Sequence, residues 1–275
     1  MPFAALRLNV AVRIRAADLV LIPCLAVSAV VLVWAGRDLT FFFDEWQLVL
    51  NPSPLAPSTL FQAHNGQAFV LPSLAYGLGL EVLGLTSQLP YRLVTVAAAT
   101  TCVVLLYLLL RRHVAPALAL DLILPAMVLG YAWEALLLGL SMNFMIGTAA
   151  GTGMLLALDR QTRRGDLTAS LMLLVALACG GIGLAFAAGA VVEVALRKDA
   201  QRVWIPGIPL GLFLLWFTLR TGDASGIDMA ANALNHPDYI WRASVAGVGA
   251  LSGSFGLSFM NRPAPLLFPL LVATL

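Results

Sequence analysis

Apolar runs that approach the length of a membrane-crossing helix constrain this chain more than any other feature of its sequence. A helix needs roughly 20 largely apolar residues to cross a hydrocarbon core about 30 Å thick. Such runs cover residues 19–35, 93–110, 115–131, 138–158, 203–219 and 243–259. Charged residues are only 11% of the 275 residues, against about 25% in an ordinary soluble domain. We therefore predict an all-α fold, a polytopic transmembrane helical bundle that forms a single domain over residues 1–275.

The basic residues lie in clusters between these runs, and their distribution predicts the topology. Cytoplasmic segments of membrane proteins are enriched in Lys and Arg. This rule is best satisfied if the N-terminus is cytoplasmic and if residues 68–85 lie in or dip into the outer interface without crossing. The basic residues then placed inside are Arg7, Arg13, Arg15, Arg111, Arg112, Arg160, Arg163, Arg164, Arg197, Lys198 and Arg202. The acidic pair Asp44-Glu45 is then on the outer face.

Two later segments depart from simple crossings. Residues 167–196 must begin and end inside, yet they are too few for two full crossings, so the glycines at 179–183 predict a hairpin of two short helices. Such a hairpin need not reach the outer surface. The apolar segment 264–275 would rise only about 18 Å as a helix. We therefore expect the chain to be a fragment that ends within a C-terminal transmembrane helix.

The stretch from Thr40 to Arg92 carries most of the polar chemistry. Asp44 and Glu45 stand among Phe41, Phe42, Phe43 and Trp46, as expected for an acidic site at a lipid–water boundary. A carboxylate there can act as a general base, bind a divalent cation such as Mg²⁺ or Mn²⁺, or simply be solvated. Further polar candidates, each with an equally ordinary structural role, are His64, Asn65, Arg92, Asp121 and Glu134.

Residues 40–112 resemble the opening of the GT-C class of polytopic glycosyltransferases, which take sugars from polyprenyl-phosphate donors. The residues that carry the resemblance are Phe43-Asp44-Glu45-Trp46, His64-Asn65, Gly84 and Pro90-Tyr91-Arg92. The layout is most similar to a bacterial branch in which the His-Asn pair is commonly followed by Glu-His. This chain has Gly66-Gln67 at that point and so lacks an acid and a second histidine.

The resemblance implies a GT-C-like bundle whose first outer loop bears interfacial helices. It also implies an enzyme of the bacterial plasma membrane that transfers a hexose or pentose on the outer face. The donor would be a polyprenyl-phosphate-linked sugar, and the acceptor a glycan, a lipid or a protein. Membrane lipids are expected partners, and nucleic acids are not. The implied catalytic residues are Asp44, also a candidate metal ligand, and Glu45; the implied substrate-binding residues are His64, Asn65, Glu134 and Arg92, the last on the donor phosphate.

Two other functions stay open at the level of sequence. The Gly66-Gln67 departure suits a catalytically degenerate, GT-C-like membrane protein. A non-enzymatic lipid or solute carrier would instead show paired charges near the membrane midplane and an internal repeat of broken helices. The sequence contains no such repeat, and Asp121 is nearly alone among the mid-helix positions in bearing a charge.

Overall fold

The computed structural model describes residues 16–42, 44–124 and 134–220, and within these ranges the chain is mostly helical. Four of the helices are long and apolar enough to cross a membrane. They cover Ala17–Ala35, Leu89–Leu110, Gly139–Leu158 and Ala200–Leu219. The predicted all-α architecture with multiple apolar spans is confirmed to this extent.

The described elements follow one another in a simple order. In chain order the helices are α1 (Ala16–Ala35), α2 (Glu45–Val49), α3 (Pro57–Leu60), α4 (Val70–Leu83), α5 (Leu89–Leu110), α6 (Pro116–Ile123), α7 (Glu134–Leu137), α8 (Met142–Leu158), α9 (Arg163–Leu177), α10 (Ile182–Arg197) and α11 (Trp204–Leu219). Single 3₁₀ turns, Gly139–Ser141 and Ala200–Arg202, precede α8 and α11. A two-stranded antiparallel hairpin, β1 (Ala63–His64) and β2 (Gln67–Ala68), lies between α3 and α4.

Helices α1 and α5 pack side by side in opposite directions. Near the beginning of α1, Asp18 accepts hydrogen bonds from Tyr107 (2.7 Å) and Arg111 (3.0 Å), which lie at the end of α5. Just beyond the end of α1, the carbonyl oxygen of Gly36 accepts a hydrogen bond from Arg92 at the beginning of α5. The whole segment between the two helices therefore begins and ends at the same end of the bundle.

Helix α8 runs in the same direction as α5, and α9 returns beside it. The Thr95 hydroxyl of α5 donates to the carbonyl oxygen of Gly139 at 2.9 Å, just before α8 begins. At the other ends of these two helices, Arg112 forms an ion pair with Asp159. The bundle thus has two ends of different character. We call them the Asp44 end, with Gly36, Asp44, Arg92, Leu137 and Gly181, and the Arg202 end, with Asp18, Arg111, Asp159, Asp166 and Arg202.

The predicted break inside residues 167–196 is present. Helix α9 ends at Leu177 and α10 begins at Ile182, with Gly180 between them at φ +134°, a conformation that favours glycine. The apex reaches the Asp44 end, because the amide of Gly181 donates to Gln67 at 3.0 Å. The two helices of the hairpin have 15 and 16 residues. The hairpin therefore extends to the Asp44 end, which the sequence analysis did not require.

Helix α4 covers most of residues 68–85, the segment that the sequence predicts to lie at the outer interface without crossing the membrane. It has 14 residues, about 21 Å at helical rise, and is not among the helices long enough to cross a membrane. Its length agrees with the expectation that residues 68–85 do not cross. It packs on α2, α3 and the beginning of α5 at the Asp44 end.

The outer faces of the long helices carry large apolar side chains. On α1, Ile22, Val30 and Trp34 are each more than 60% exposed. Apolar patches of this extent are rare on soluble monomers and are typical of surfaces that contact lipid or another chain. The same pattern continues along α11 at Ile208, Leu212 and Leu215.

Several expectations concern residues outside the described ranges. These are the N-terminal arginines (Arg7, Arg13 and Arg15), Phe43, the second half of the run 115–131, the polar segment 221–242, and the runs 243–259 and 264–275.

Candidate functional site

Glu45 is a buried, heavily hydrogen-bonded side chain of the Asp44 end. It is 1% exposed. Its Oε2 accepts from the amide of Phe42 (2.7 Å) and from Gln88 Nε2 (2.6 Å). Its Oε1 accepts from the amide of Leu140 (3.0 Å) and from the Tyr76 hydroxyl. A carboxylate with this many donors is a structural anchor that ties α2, α4, α5 and the 3₁₀ turn before α8 together.

Tyr76 is suited to donate permanently to this carboxylate. Burial raises its pKa well above the ordinary value, and the negative charge of Glu45 raises the pKa further. The hydroxyl is therefore protonated at any physiological pH. The Tyr76 ring stacks on Tyr91, with ring centroids 4.4 Å apart. The Tyr76 hydroxyl donates from this stack to Glu45.

Arg92 is equally buried, and its donors contact protein acceptors. It is 1% exposed. Nη1 donates to the carbonyl oxygen of Gly36, Nη2 to that of Leu39 (3.2 Å), and Nε to that of Leu137 (3.1 Å). Nη2 also donates to Gln88 Oε1 at 2.6 Å. This geometry favours a structural role for Arg92 over the contact with a donor phosphate that the resemblance implies.

Gln88 connects these two buried charges. Its amide nitrogen donates to Glu45 while its carbonyl oxygen accepts from Arg92, so one side chain satisfies a negative and a positive partner. The opposite charges on either side of Gln88 stabilise each other in a region of low polarity. The implied catalytic partner Glu45 and the implied phosphate ligand Arg92 are thus brought together, but as parts of one structural network.

Asp44 lies beside this network and has a different environment. It precedes α2, is half-buried, and accepts a hydrogen bond on Oδ2 from Asn65 Nδ2 at 3.0 Å. Among the described residues, Oδ1 has no hydrogen-bond partner. The structure therefore brings together Asp44 and Asn65, which are 21 positions apart in the sequence, and leaves one carboxylate oxygen available.

The β1–β2 hairpin holds Asn65 in place. Asn65 (φ +50°) and Gly66 (φ +74°) connect strands in which His64 pairs with Gln67. Two central residues with positive φ form a type I′ turn, for which Asn-Gly is the preferred sequence. The Gly66-Gln67 departure thus has a structural reason, since Gly66 permits the turn and Gln67 accepts from Gly181 at the apex of the α9–α10 hairpin. The Asn-Gly pair was a readable sign of this hairpin that our sequence analysis missed.

The other candidate residues are less central. His64 is half-buried and stacks on Phe69, with ring centroids 4.7 Å apart. Asp121 is exposed on α6. Glu134 is the first residue of α7 at the Asp44 end, and its side chain lies outside the described part of the chain.

Arg220 is a basic residue of this region that our sequence analysis did not single out. It follows α11, and its Nη1 donates to the carbonyl oxygen of Gly66 at 3.2 Å. Its guanidinium carbon lies 3.8 Å from the centroid of the Phe217 ring. Trp216, one turn earlier, donates to the carbonyl oxygen of Phe61 at 2.8 Å. The cation at the end of α11 therefore contacts Gly66, the residue that follows Asn65. The Asn65 side chain in turn donates to Asp44.

Exposed aromatic and apolar side chains surround Asp44. Phe42 is 60% exposed, Trp46 43% and Phe61 55%. Trp46 is of the residue type enriched where membrane proteins meet lipid headgroups, and the two exposed Phe side chains are apolar enough to lie in lipid. A polar group at this position can meet a substrate with a long hydrocarbon chain and a charged head.

The described residues provide few ligands for a metal ion. In the ranges 16–42, 44–124 and 134–220, no three His, Cys, Asp or Glu side chains form a group that could hold one. Among the side chains that the structure describes, Asp44 has an amide beside it and no second available carboxylate, because Glu45 already accepts four hydrogen bonds. This donor set does not fit Mg²⁺ or Mn²⁺, which prefer several oxygen ligands, and we derive no step through a metal.

Comparisons of the chain with protein-family models, with curated proteins and with solved structures found no match.

Proposed function

We propose that the chain is a membrane glycosyltransferase that moves a sugar from a polyprenyl-phosphate donor to an acceptor on the outer face of a bacterial membrane. The observation that carries the proposal is the contrast between Asp44 and Glu45. Glu45 is fully engaged in the fold. Asp44 is oriented by Asn65 through one oxygen at a rim of exposed aromatic side chains. The GT-C resemblance of the surrounding motif supports the same role for Asp44.

The chemistry assigned to Asp44 is that of a general base. The acceptor hydroxyl oxygen attacks the anomeric carbon of the sugar, its proton passes to Oδ1 of Asp44, and the bond from the carbon to the phosphate oxygen breaks. The polyprenyl phosphate leaves with the electron pair of that bond, and the sugar is transferred with inversion. Asn65 keeps the carboxylate turned toward the acceptor by binding Oδ2.

Arg220 is the residue that we assign to the donor phosphate, in place of Arg92. One of its N–H groups binds the Gly66 carbonyl oxygen, and no other acceptor in the described ranges contacts its guanidinium. A guanidinium has five N–H donors and binds phosphate through two at once. The contact with Gly66 brings this cation near Asp44 without neutralising it.

Transfer assays on membranes that contain the full chain test the proposal. Polyprenyl-phosphate-linked hexoses and pentoses serve as donors. Asp44→Asn keeps the acceptor for Asn65 but removes the base, so we expect transfer to fall by about 10²-fold or more. Arg220→Gln should mainly raise the KM for the donor. Asp38→Asn is the matched control, because the Asp38 side chain is 83% exposed, and it should leave the rate unchanged. Full activity in the Asp44→Asn protein would end the assignment.

One observation favours a second candidate, a catalytically degenerate member of the same class. Gly66 and Gln67 serve a turn and a contact with the α9–α10 apex, so the acid and histidine expected at these positions have been exchanged for structural residues. This candidate predicts that the wild-type chain binds polyprenyl-phosphate donors and transfers no sugar from any of them.

A further inference from the structure

Two cavities lie next to each other at the Arg202 end, and they differ in character. The first has a volume of about 560 Å³ and is polar, with Gln161, Asp166, Arg197, Asp199, Gln201 and Arg202 around it. The second has a volume of about 410 Å³ and is apolar. It is a groove between α10 and α11, and the residues along it include Val191, Val194, Val203, Pro206, Gly207 and Leu210. Asp199 lines both cavities.

Arg202 lines the polar cavity and has a donor without a partner just beneath its surface. Its side chain is 11% exposed. Nη2 forms an ion pair with Asp166 and donates to the carbonyl oxygen of Leu158 at 3.2 Å. Its Nε is buried and has no hydrogen-bond partner among the described residues. A buried, charged N–H without an acceptor is unfavourable, so a ligand with an oxygen acceptor would be stabilised here.

The other charged residues that line the cavity are one cation, Arg197, and one anion, Asp199. Arg197 forms an ion pair with Glu193 one turn earlier on α10, and the Arg197 side chain remains 28% exposed. Asp199 accepts from the amide of Gln201 at 3.1 Å through Oδ1. Two arginines and two aspartates therefore line the space, and Lys198 lines the adjoining groove. Such a lining matches a ligand that carries one negative and one positive group better than it matches an anion alone.

We infer that the two cavities bind one phospholipid whose headgroup carries a phosphate and a primary amine. The phosphate contacts Arg197 and Arg202, the ammonium group contacts Asp199, and an acyl chain lies in the groove between α10 and α11. Basic pockets between transmembrane helices bind the phosphates of lipid headgroups, and Asp199 adds here the acceptor that an ammonium group needs. The lipid is a resident partner at the end opposite Asp44, and the binding does not depend on the proposed transfer.

The apolar groove is the reason for naming a lipid and not a soluble amino phosphate. Helix α11 lies within one of the four helices long and apolar enough to cross a membrane, and the groove follows its first two turns, where an acyl chain would lie below the headgroup. A Cβ atom added to Gly207 would meet nothing within 4 Å, which shows that the groove is open there. A ligand without an acyl chain would leave this groove unused.

Lipid titration of the purified full chain, followed by native mass spectrometry, tests the inference. The probes are dioleoyl phosphatidylethanolamine, phosphatidylcholine and phosphatidylglycerol. Phosphatidylethanolamine should bind about tenfold more tightly than either of the others, the difference expected for one charge-assisted hydrogen bond. Phosphatidylcholine has no N–H to donate to Asp199, and phosphatidylglycerol has no cation.

Three variants separate the headgroup from the acyl chain. Arg197→Gln should lower phosphatidylethanolamine binding about tenfold. Asp199→Asn keeps an acceptor for Gln201, and it should abolish the preference for phosphatidylethanolamine over phosphatidylglycerol. Gly207→Leu fills the groove and should lower the binding of all three lipids.

Matched controls lie on the same elements or at the same end. Gly211 is one turn further along α11, and a Cβ atom there also meets nothing within 4 Å, but it does not line the groove. Arg112 forms its ion pair with Asp159 at the same end, away from the cavity. Gly211→Leu and Arg112→Gln should bind lipid as the wild type does. Equal affinity for the three lipids, or equal binding by the Gly207→Leu and Gly211→Leu proteins, would overturn the inference.

Discussion

Two adjacent carboxylates, Asp44 and Glu45, have opposite environments in this protein. Glu45 is 1% exposed and accepts four hydrogen bonds. Asp44 is half-buried and accepts one from a side chain. Since Asp44 immediately precedes α2 and Glu45 begins it, successive side chains point in different directions. Glu45 therefore stabilises the fold, and Asp44 keeps one carboxylate oxygen without a hydrogen-bond partner among the described residues.

At this scale we predict that Glu45→Gln destabilises the protein. The amide group would replace one acceptor oxygen with a donor, so at least two of the four buried donors around it would lose their partner. Each such loss costs about 1–3 kcal/mol, so for two losses we expect the free energy of unfolding to fall by roughly 2–6 kcal/mol. Thermal unfolding of the detergent-solubilised protein measures this.

Glu193→Gln is the control for this prediction. Glu193 is partly exposed and pairs with Arg197 four residues later on α10, an arrangement that contributes only about 0.3–0.5 kcal/mol. Its unfolding temperature should stay close to that of the wild type. Equal stability of the two variants would contradict the anchoring role of Glu45.

At the scale of elements, the tip of the α9–α10 hairpin and the β1–β2 hairpin depend on each other. Gln67 on β2 accepts from Gly181 at the tip, and the amide of Leu71, at the beginning of α4, donates to the carbonyl oxygen of Ala178 at 3.3 Å. The helices that close the bundle therefore support the turn that holds Asn65 beside Asp44.

We predict that Gly180→Ala weakens this contact. Gly180 has φ +134°, and an added Cβ would lie 3.0 Å from Gln67 Oε1. The backbone strain should destabilise the protein by about 1–3 kcal/mol. Gly189→Ala on α10 is the matched control, because its Cβ would meet nothing within 4 Å and alanine favours a helix by about 0.5–1 kcal/mol. Thermal unfolding should therefore shift in opposite directions for the two variants, and shifts of the same sign would refute the strain argument.

The helical elements could largely be predicted from the sequence, and the site could not. Apolar length alone places α1, α5, α8 and α11, because a membrane requires about 20 apolar residues in each span. Hydropathy carries no information on partners, however. The Glu45 and Leu140 pair is 95 positions apart, and the Arg92 and Leu137 pair 45. The sequence could therefore nominate Glu45 and Arg92 as charged residues in an apolar chain, but it could not reveal that both are enclosed by the fold.

At the scale of the whole molecule, charge separates along the bundle. The Arg202 end collects eight basic residues of the described ranges, namely Arg111, Arg112, Arg160, Arg163, Arg164, Arg197, Lys198 and Arg202. The Asp44 end has Arg37, Arg92 and Arg220. Membrane proteins retain clustered basic residues on the cytoplasmic side, so we continue to predict that the Arg202 end faces the cytoplasm.

Single-cysteine labelling of intact cells checks this orientation. With Cys24, Cys102 and Cys179 replaced by alanine, Asp38→Cys should react with an impermeant maleimide from outside, since its side chain is 83% exposed. Arg163→Cys, exposed at the opposite end, should react only after permeabilisation. The opposite labelling pattern would invert the topology and place Asp44 inside.

Because of the long sequence separation within the Glu45 network, its hydrogen bonds cannot all form at the same stage of synthesis. Leu140, which completes the shell around Glu45, is added 95 residues later, and ribosomes add about 5–20 residues per second. For roughly 5 to 20 s the carboxylate of Glu45 in the nascent chain therefore lacks the last of its four donors. During that interval Glu45 is expected to stay hydrated. The segment between α1 and α5 would then be enclosed only after α8, the third long helix, has been synthesised.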